Sequence, residues 1–209
     1  MISVTEDLDA FLAKVKGYAE AVDADIADRE NDFRSMCFWN IHNRGVMTKE
    51  VVGFYMRAWK NMDVPLDLEH EITERIVTVT RDMFVDTVSS IEKAAKDCTG
   101  AYRASGLREK SMEGRSYLYL RNIIAASADL GCVTRETLAD WEDVLMMRNL
   151  VTHNNSVADR SRVLEVGDLR ISMRPNRMMK GSPNTFVVLT DRAATLFYNW
   201  LRTVDVMFG

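Results

Sequence analysis

Residues 134–155 read TRETLADWEDVLMMRNLVTHNN, and this stretch predicts an amphipathic helix that ends in polar residues. Thr134 is a favourable N-cap, and Asn154-Asn155 is a polar stop. A helix turns by about 100° per residue, so apolar side chains three and four positions apart share one face. The predicted buried arc contains Leu138, Trp141, Val144 and Leu145.

The last two turns of this predicted helix are polar where the arc would continue. The next positions on the arc are Arg148, Asn149 and Thr152, with His153 at its edge. Burying such groups without partners costs a few kcal/mol, so folding alone seldom explains them. We therefore expect a functional site here.

Arg148 and His153 are residue types that suit the cleavage of RNA. An imidazole exchanges protons near neutral pH, so His153 can act as a general base or acid. The planar guanidinium of Arg148 matches two phosphate oxygens, and Asn149 can bind phosphate or orient the histidine. Two structural roles compete with this interpretation. Arg148 could pair with Glu142, Asp143 or a carboxylate on a neighbouring helix, and His153 could interact with the helix dipole as a C-terminal cation.

The pattern Arg148-Asn149-x-x-x-His153 resembles the Arg-x4-6-His signature of the HEPN superfamily, in the form with asparagine after arginine. Members are helical bundles, and many are metal-independent endoribonucleases, including toxins of toxin–antitoxin systems and abortive-infection proteins. The resemblance covers roughly the C-terminal two-thirds of the chain. It implies that Arg148, Asn149 and His153 form a catalytic site without metal or cofactor.

The resemblance also implies partners. Two motifs commonly face each other across a dimer axis in this superfamily, so it implies a homodimer with a composite site and leaves room for an antitoxin protein. In toxins silenced by nucleotidylyl transfer, a tyrosine follows two residues after the histidine, whereas this chain has Asn155. Regulation through that tyrosine is therefore not supported. A non-catalytic module that binds RNA, a nucleotide or a protein partner is the alternative function.

Composition is that of a globular protein with a real core. The chain has 209 residues, of which 47% are hydrophobic and 28% charged, and its 10 glycines and 3 prolines favour long helices. The net charge of −4 argues against a generally basic nucleic-acid coat protein. Cys37, Cys98 and Cys132 lack CxxC spacing, so we expect free thiols. The first residues lack a signal-peptide pattern and no long apolar run occurs, so we expect a cytoplasmic protein with no membrane partner.

Periodicity along the chain predicts an all-α protein with a small β-hairpin. We expect an N-terminal helical extension over 1–66, with a helix from Leu8 that could continue towards Trp39, a stop at 43–45 and a short helix after Thr48. A HEPN-like antiparallel four-helix bundle is expected over 67–209, built from helices at 67–98, 112–130, 134–154 and 190–208. Strand-like patterns occupy 163–166, 169–173 and 185–189.

A basic segment follows the motif and could hold an RNA backbone. Residues 160–180 contain six basic side chains and two acidic ones. Arg170, Arg174, Arg177 and Lys180 are the candidates to bind RNA phosphates, and a solvated hairpin face is an equal alternative. Arg115, Tyr117 and Arg121 could line the same cleft, although core or surface placement is favoured.

Overall fold

The computed structural model describes residues 2–26, 32–61, 66–101, 106–153, 156–166, 169–179 and 181–208. These residues form seven α-helices and one two-stranded antiparallel sheet, in the order α1 (Ile2–Ala24), α2 (Phe33–Asn61), α3 (Leu66–Ala101), α4 (Leu107–Met112), α5 (Leu120–Asp129), α6 (Arg135–His153), β1 (Arg162–Val166), β2 (Leu169–Met173) and α7 (Pro183–Phe208). The expectation of a helical protein with a small hairpin before the last helix is confirmed. No helix in these ranges is both long and apolar enough to span a bilayer.

Four long helices, α1, α2, α3 and α7, form the centre of the molecule and share one hydrophobic core. Side chains that join α1 to α7 keep a constant separation of 177 residues: Asp7 to Asn184, Lys14 to Asp191, Tyr18 to Thr195, and Asp25 to Arg202. A constant offset means that the two helices run parallel.

The bundle expected from residues 67–209 therefore differs from the observed one, because α1 and α2 contribute to its core and α7 is parallel to α1. The predicted boundary lies next to residues 62–65, which are outside the described ranges.

Asp32 caps the start of α2. Its Oδ1 accepts a hydrogen bond of 2.8 Å from the backbone N of Arg34, as an N-cap does at a helix start. The same carboxylate forms an ion pair of 2.6 Å with the Arg34 guanidinium. The helix expected to continue from Leu8 towards Trp39 is thus two helices.

Gly45 lies within α2, so the predicted stop at 43–45 is wrong. A Cβ at this position would lie 2.7 Å from Cδ2 of Leu12 and 3.0 Å from Cε1 of Phe11. The glycine therefore permits close packing of α1 against α2, at a modest cost in helix propensity.

The helix predicted over 112–130 is also wrong in part. Ser111, one residue before its predicted start, is buried inside α4 and donates a hydrogen bond of 2.5 Å to the carbonyl of Leu107. Gly114 has a φ of +67°, a left-handed conformation that glycine adopts without strain, and the chain then runs to α5. The shorter helix α5 leaves residues 115–119 as a separate segment beside it.

The strand predicted over 185–189 is the first part of α7. Ser182 and Thr185 exchange hydrogen bonds from backbone N to side-chain oxygen, at 3.1 and 3.2 Å, which is the capping-box arrangement of a helix start. Pro183 occupies the first helical position, where proline is favoured. The β-branched residues of this stretch favoured a strand in the prediction. In the structure Phe186, Val187 and Leu189 are all buried in the core as part of a helix.

The hairpin of β1 and β2 is confirmed, with Leu164 opposite Ile171. Its buried face packs on α6 and α7. Outside the two strands, Val157 forms a further bridge with Met178. The backbone N of Ser156 donates a hydrogen bond of 3.0 Å to the carbonyl of Leu150 in α6. The hairpin is thus attached directly to the end of α6.

Candidate functional site

Helix α6 begins as the sequence predicted. The backbone N of Thr137 donates to Oγ1 of Thr134 over 3.2 Å, which is the N-cap bond. The buried residues of this helix are Trp141, Val144, Met147 and Leu150. The expectation that the buried arc turns polar in the last two turns is therefore wrong, because Met147 and Leu150 keep it apolar to the end. The polar motif residues lie beside this arc.

Arg148 is the half-buried member of the motif. Its Nε is buried without a hydrogen-bond partner, and its Nη1 donates to Oδ1 of Asn149 over 3.2 Å. Among the described residues it forms no ion pair, and Asp143, one of the carboxylates considered for it, is paired with Arg162. The guanidinium is thus partly desolvated, and no described carboxylate forms an ion pair with it.

His153 is the last residue of α6, and its side chain is exposed. Asn149 and Thr152 are exposed as well, and the hydroxyl of Thr152 donates to the carbonyl of Arg148 over 2.7 Å. The C-terminal position also suits a histidine that interacts with the helix dipole. Exposure means that His153 can meet a ligand without any rearrangement of the core.

Arg148, Asn149 and His153 line one cleft of about 590 Å³. The walls come from α3, α5, α6 and the chain that leads into β1. The remaining lining residues include both apolar and polar side chains. The polar and charged ones are Glu92, Tyr119, Arg121, Asn122, Glu142, Asp159, Arg160 and Arg162. The three motif residues expected from the sequence therefore share one cavity.

Positive charge in this cleft is only partly neutralised. Arg121 and Arg160 are exposed, and neither forms an ion pair with any residue that the structure describes. Arg162 is different, because it binds Asp143 over 2.5 Å and so links β1 to α6. Burial raises the pKa of Asp143 above its ordinary value, while the charge and hydrogen bond of Arg162 act in the opposite direction.

One acidic side chain of the cleft is already paired. Glu92 forms an ion pair of 2.8 Å with Lys96, one turn later on α3. Glu142 and Asp159 are exposed at the cleft wall. Glu142 precedes His153 by three turns of α6, roughly 16 Å along the helix axis, so the two do not act on the same phosphate group.

Three of the four basic residues predicted to bind RNA lie outside the cleft. Arg170 is exposed on β2 and faces Glu165 across the hairpin, with 3.8 Å between Nε and Oε1. Arg174 and Arg177 are exposed after β2, and none of the three lines the cavity. Lys180 is outside the described residues. Two other residues of the same basic segment, Arg160 and Arg162 at its start, do line the cleft.

Three further residues of the cleft wall lie at or next to the start of α5. Arg121 lines the cleft, although a core or surface position was favoured for it. Tyr119 and Asn122, next to it in the chain, also line the cleft and were not considered. The signal that could have identified them is Gly114, because a left-handed glycine ends α4 and exposes the segment that follows.

The three cysteines are free and buried, as expected. Within the described ranges, no three His, Cys, Asp or Glu side chains are grouped so as to hold a metal ion. No protein-family model, curated protein or solved structure gives a significant match to this chain. Function must therefore be argued from the cleft itself.

Proposed function

We propose that the cleft binds RNA and that Arg148 and His153 cleave it, without a metal ion, in a defence, toxin or stress-response role. The observation that carries this proposal is the guanidinium of Arg148, which is half-buried, lacks an ion-pair partner among the described residues and lies in the same cavity as His153. An incoming phosphate would compensate a desolvated cation of this kind. Arg121 and Arg160 supply further positive charge along the same wall.

The reaction uses the 2′-hydroxyl of the RNA itself as the nucleophile. Neutral His153 takes the proton of a ribose 2′-OH, and the 2′-oxygen attacks the adjacent phosphorus. Arg148 stabilises the negative charge that develops on the phosphoryl oxygens. The bond from phosphorus to the 5′-oxygen then breaks, and that oxygen receives a proton. The products are a 2′,3′-cyclic phosphate and a free 5′-hydroxyl.

Departure of the 5′-oxygen needs a proton donor as well as a base. We propose that a second copy of the chain supplies it, so that two motifs act together in a homodimer. A two-fold axis places a residue near the axis opposite its own copy. Exposure of His153 at the end of α6 is compatible with such an arrangement. Wild-type protein mixed with an excess of His153→Ala and allowed to exchange subunits should lose most of its activity, because each mixed dimer has one His153 instead of two. Activity of the mixture equal to that of the wild-type protein it contains would contradict a shared site.

A non-catalytic RNA- or nucleotide-binding module is the second candidate. The observation in its favour is that the amide oxygen of Asn149 accepts a hydrogen bond from Arg148, so it does not orient the ring of His153. A histidine without an orienting partner among the described residues is less well prepared for proton transfer.

Cleavage of a labelled RNA in the presence of EDTA separates the two candidates. We expect wild-type protein to cleave, and His153→Ala to lower the rate by at least about 100-fold. Arg135→Ala is the matched control, because Arg135 is exposed at the opposite end of α6 and does not line the cleft. It should behave as wild type. Binding without cleavage would favour the non-catalytic module, and equal rates for all variants would indicate a contaminating nuclease.

A further inference from the structure

Two exposed tyrosines stand beside the cleft. Tyr117 and Tyr119 belong to the segment between α4 and α5 and are 70% and 54% exposed, although both are large aromatic side chains. Their ring centroids are 6.3 Å apart and the rings are inclined by 49°. Tyr119 lines the cleft itself. Two neighbouring exposed aromatic rings at the edge of a cleft lined by Arg121, Arg148 and Arg160 are more than the scattered apolar exposure of an ordinary surface.

The backbone holds both rings on the same side. Tyr119 has φ −115° and ψ 152°, an extended conformation in which successive side chains alternate between faces. Leu118 accordingly packs against the core, while Tyr117 and Tyr119 face solvent. The carbonyl of Tyr119 accepts hydrogen bonds from the backbone N of Asn122 and Ile123, at 2.9 and 3.2 Å, and so starts α5.

The ring of Tyr119 has one cationic neighbour. Nζ of Lys96 lies 5.8 Å from its ring centroid, within the range of a cation–π contact, and the same ammonium is paired with Glu92. This contact and the helix start limit the conformations available to the tyrosine. A positioned aromatic ring loses less conformational entropy when it binds a flat partner.

We propose that Tyr117 and Tyr119 form a stacking platform for unpaired nucleobases, and that the cleft therefore accepts a single-stranded nucleic acid. This inference rests on the proposed function for its phosphate site and goes beyond it by naming the strand state of the substrate. A base can lie on an aromatic ring only when it is not stacked in a duplex. Arg121 and Arg148 line the same cavity as Tyr119 and supply the charge that a neighbouring phosphate requires.

Binding of a short single-stranded 2′-deoxy oligonucleotide tests the platform, because a strand without 2′-hydroxyls can bind but cannot be cleaved by the proposed reaction. We expect Tyr119→Ala to weaken binding by about tenfold, as loss of one stacked base does. Tyr119→Phe keeps the ring and should bind within about twofold of wild type. Phe54→Ala is the matched control, since Phe54 is 62% exposed on α2 and does not line the cleft. It should bind as wild type.

A single abasic nucleotide moved along the strand gives the second measurement. At one position the missing base should weaken binding to wild type by about tenfold and have little further effect on Tyr119→Ala. A blunt duplex of the same sequence should bind without dependence on Tyr119. Equal affinity for intact and abasic strands, equal dependence of duplex and single strand on Tyr119, or no binding of any strand would overturn the platform.

The outcome is separable from that of the catalytic proposal. RNA cleavage that depends on His153, together with binding that ignores both Tyr119 and the bases, would retain the nuclease and reject the platform. Base-dependent binding without RNA cleavage would retain the platform and reject the nuclease.

Discussion

Arg148 and Asn149 are hydrogen-bonded to each other, with Nη1 of Arg148 donating to Oδ1 of Asn149 over 3.2 Å. The guanidinium is thereby held along the wall of the cleft while its Nε remains buried without a partner. Asn149 carries no charge, so the contact positions Arg148 and leaves its positive charge available to a ligand.

This relationship predicts different effects of two substitutions at one position. Asn149→Asp places a carboxylate where the amide oxygen lies, and that carboxylate should pair with Arg148 and compete with phosphate. Asn149→Ala removes the contact without adding charge. We expect RNA binding to weaken more in Asn149→Asp than in Asn149→Ala, measured by fluorescence anisotropy at low salt. Equal affinities of the two variants would mean that Arg148 does not contact phosphate.

The packing of α1 against α2 predicts opposite effects of two glycine substitutions. A Cβ on Gly45 would crowd Leu12 and Phe11, whereas a Cβ on Gly17, also within a helix, meets nothing within 4 Å. Gly45→Ala should lower the free energy of unfolding by about 1 kcal/mol, since crowding outweighs the gain in helix propensity. Gly17→Ala should raise it by about 0.5–1 kcal/mol. Urea denaturation of both variants measures the two signs, and stabilisation by Gly45→Ala would show that the close approach is not tight.

Asp32 predicts a pH-dependent contribution to stability. Burial alone would raise the pKa of this carboxyl, but the hydrogen bonds and charge of Arg34 outweigh burial and lower it. A carboxyl with a lowered pKa in the folded state stabilises the fold above its unfolded pKa, about 3.9, and this contribution is lost as the pH falls through the folded value. Asn still caps a helix, so Asp32→Asn removes mainly the charge.

The variant Asp32→Asn should therefore be less stable than wild type by about 1 kcal/mol at pH 7. The difference in melting temperature should shrink once the pH falls below about 4. Thermal unfolding across that range measures it. A difference that is constant with pH would show that the charge of Asp32 is not responsible.

The basic residues after β2 give a prediction about salt. Arg174 and Arg177 are exposed and lie outside the cleft, and the backbone carbonyl of Arg177 takes part in the bridge to Ala158, which a side-chain substitution leaves in place. The Arg174→Ala, Arg177→Ala double variant should bind RNA more weakly across sequences, with little change in melting temperature. For each phosphate that the variant no longer binds, the slope of log affinity against log salt should fall by roughly one unit. Equal slopes would identify these arginines as an ordinary solvated surface.

Features with local signals were predictable, and features decided by packing were not. The N-cap at Thr134 and the pairing of β1 with β2 follow from capping and alternation within a few residues. Gly45 was misread as a stop because only the distant Phe11 and Leu12 explain why a glycine is needed there. The start of α7 had a local signal in Ser182-Pro183, but the β-branched residues after it were given more weight.

The site shows the same division. The spacing of Arg148 and His153 in one helix brings both to one cavity, as expected. Tyr119 and Arg121 come from a different element, and their approach to α6 depends on the break at Gly114 and on how α5 packs. A single sequence does not show such tertiary proximity. Arg170, chosen for its charge, faces Glu165 instead of the cleft.

The chemistry of the RNA products tests the central claim most directly. Wild-type protein should yield 2′,3′-cyclic phosphate and 5′-hydroxyl ends in EDTA, and a single 2′-deoxy nucleotide at the cleaved position should block cleavage there, because the attacking oxygen is absent. His153→Ala should give neither product while retaining the wild-type helical circular dichroism. Products with 5′-phosphate ends, or equal cleavage at the 2′-deoxy position, would contradict an attack by the RNA's own 2′-hydroxyl at Arg148 and His153.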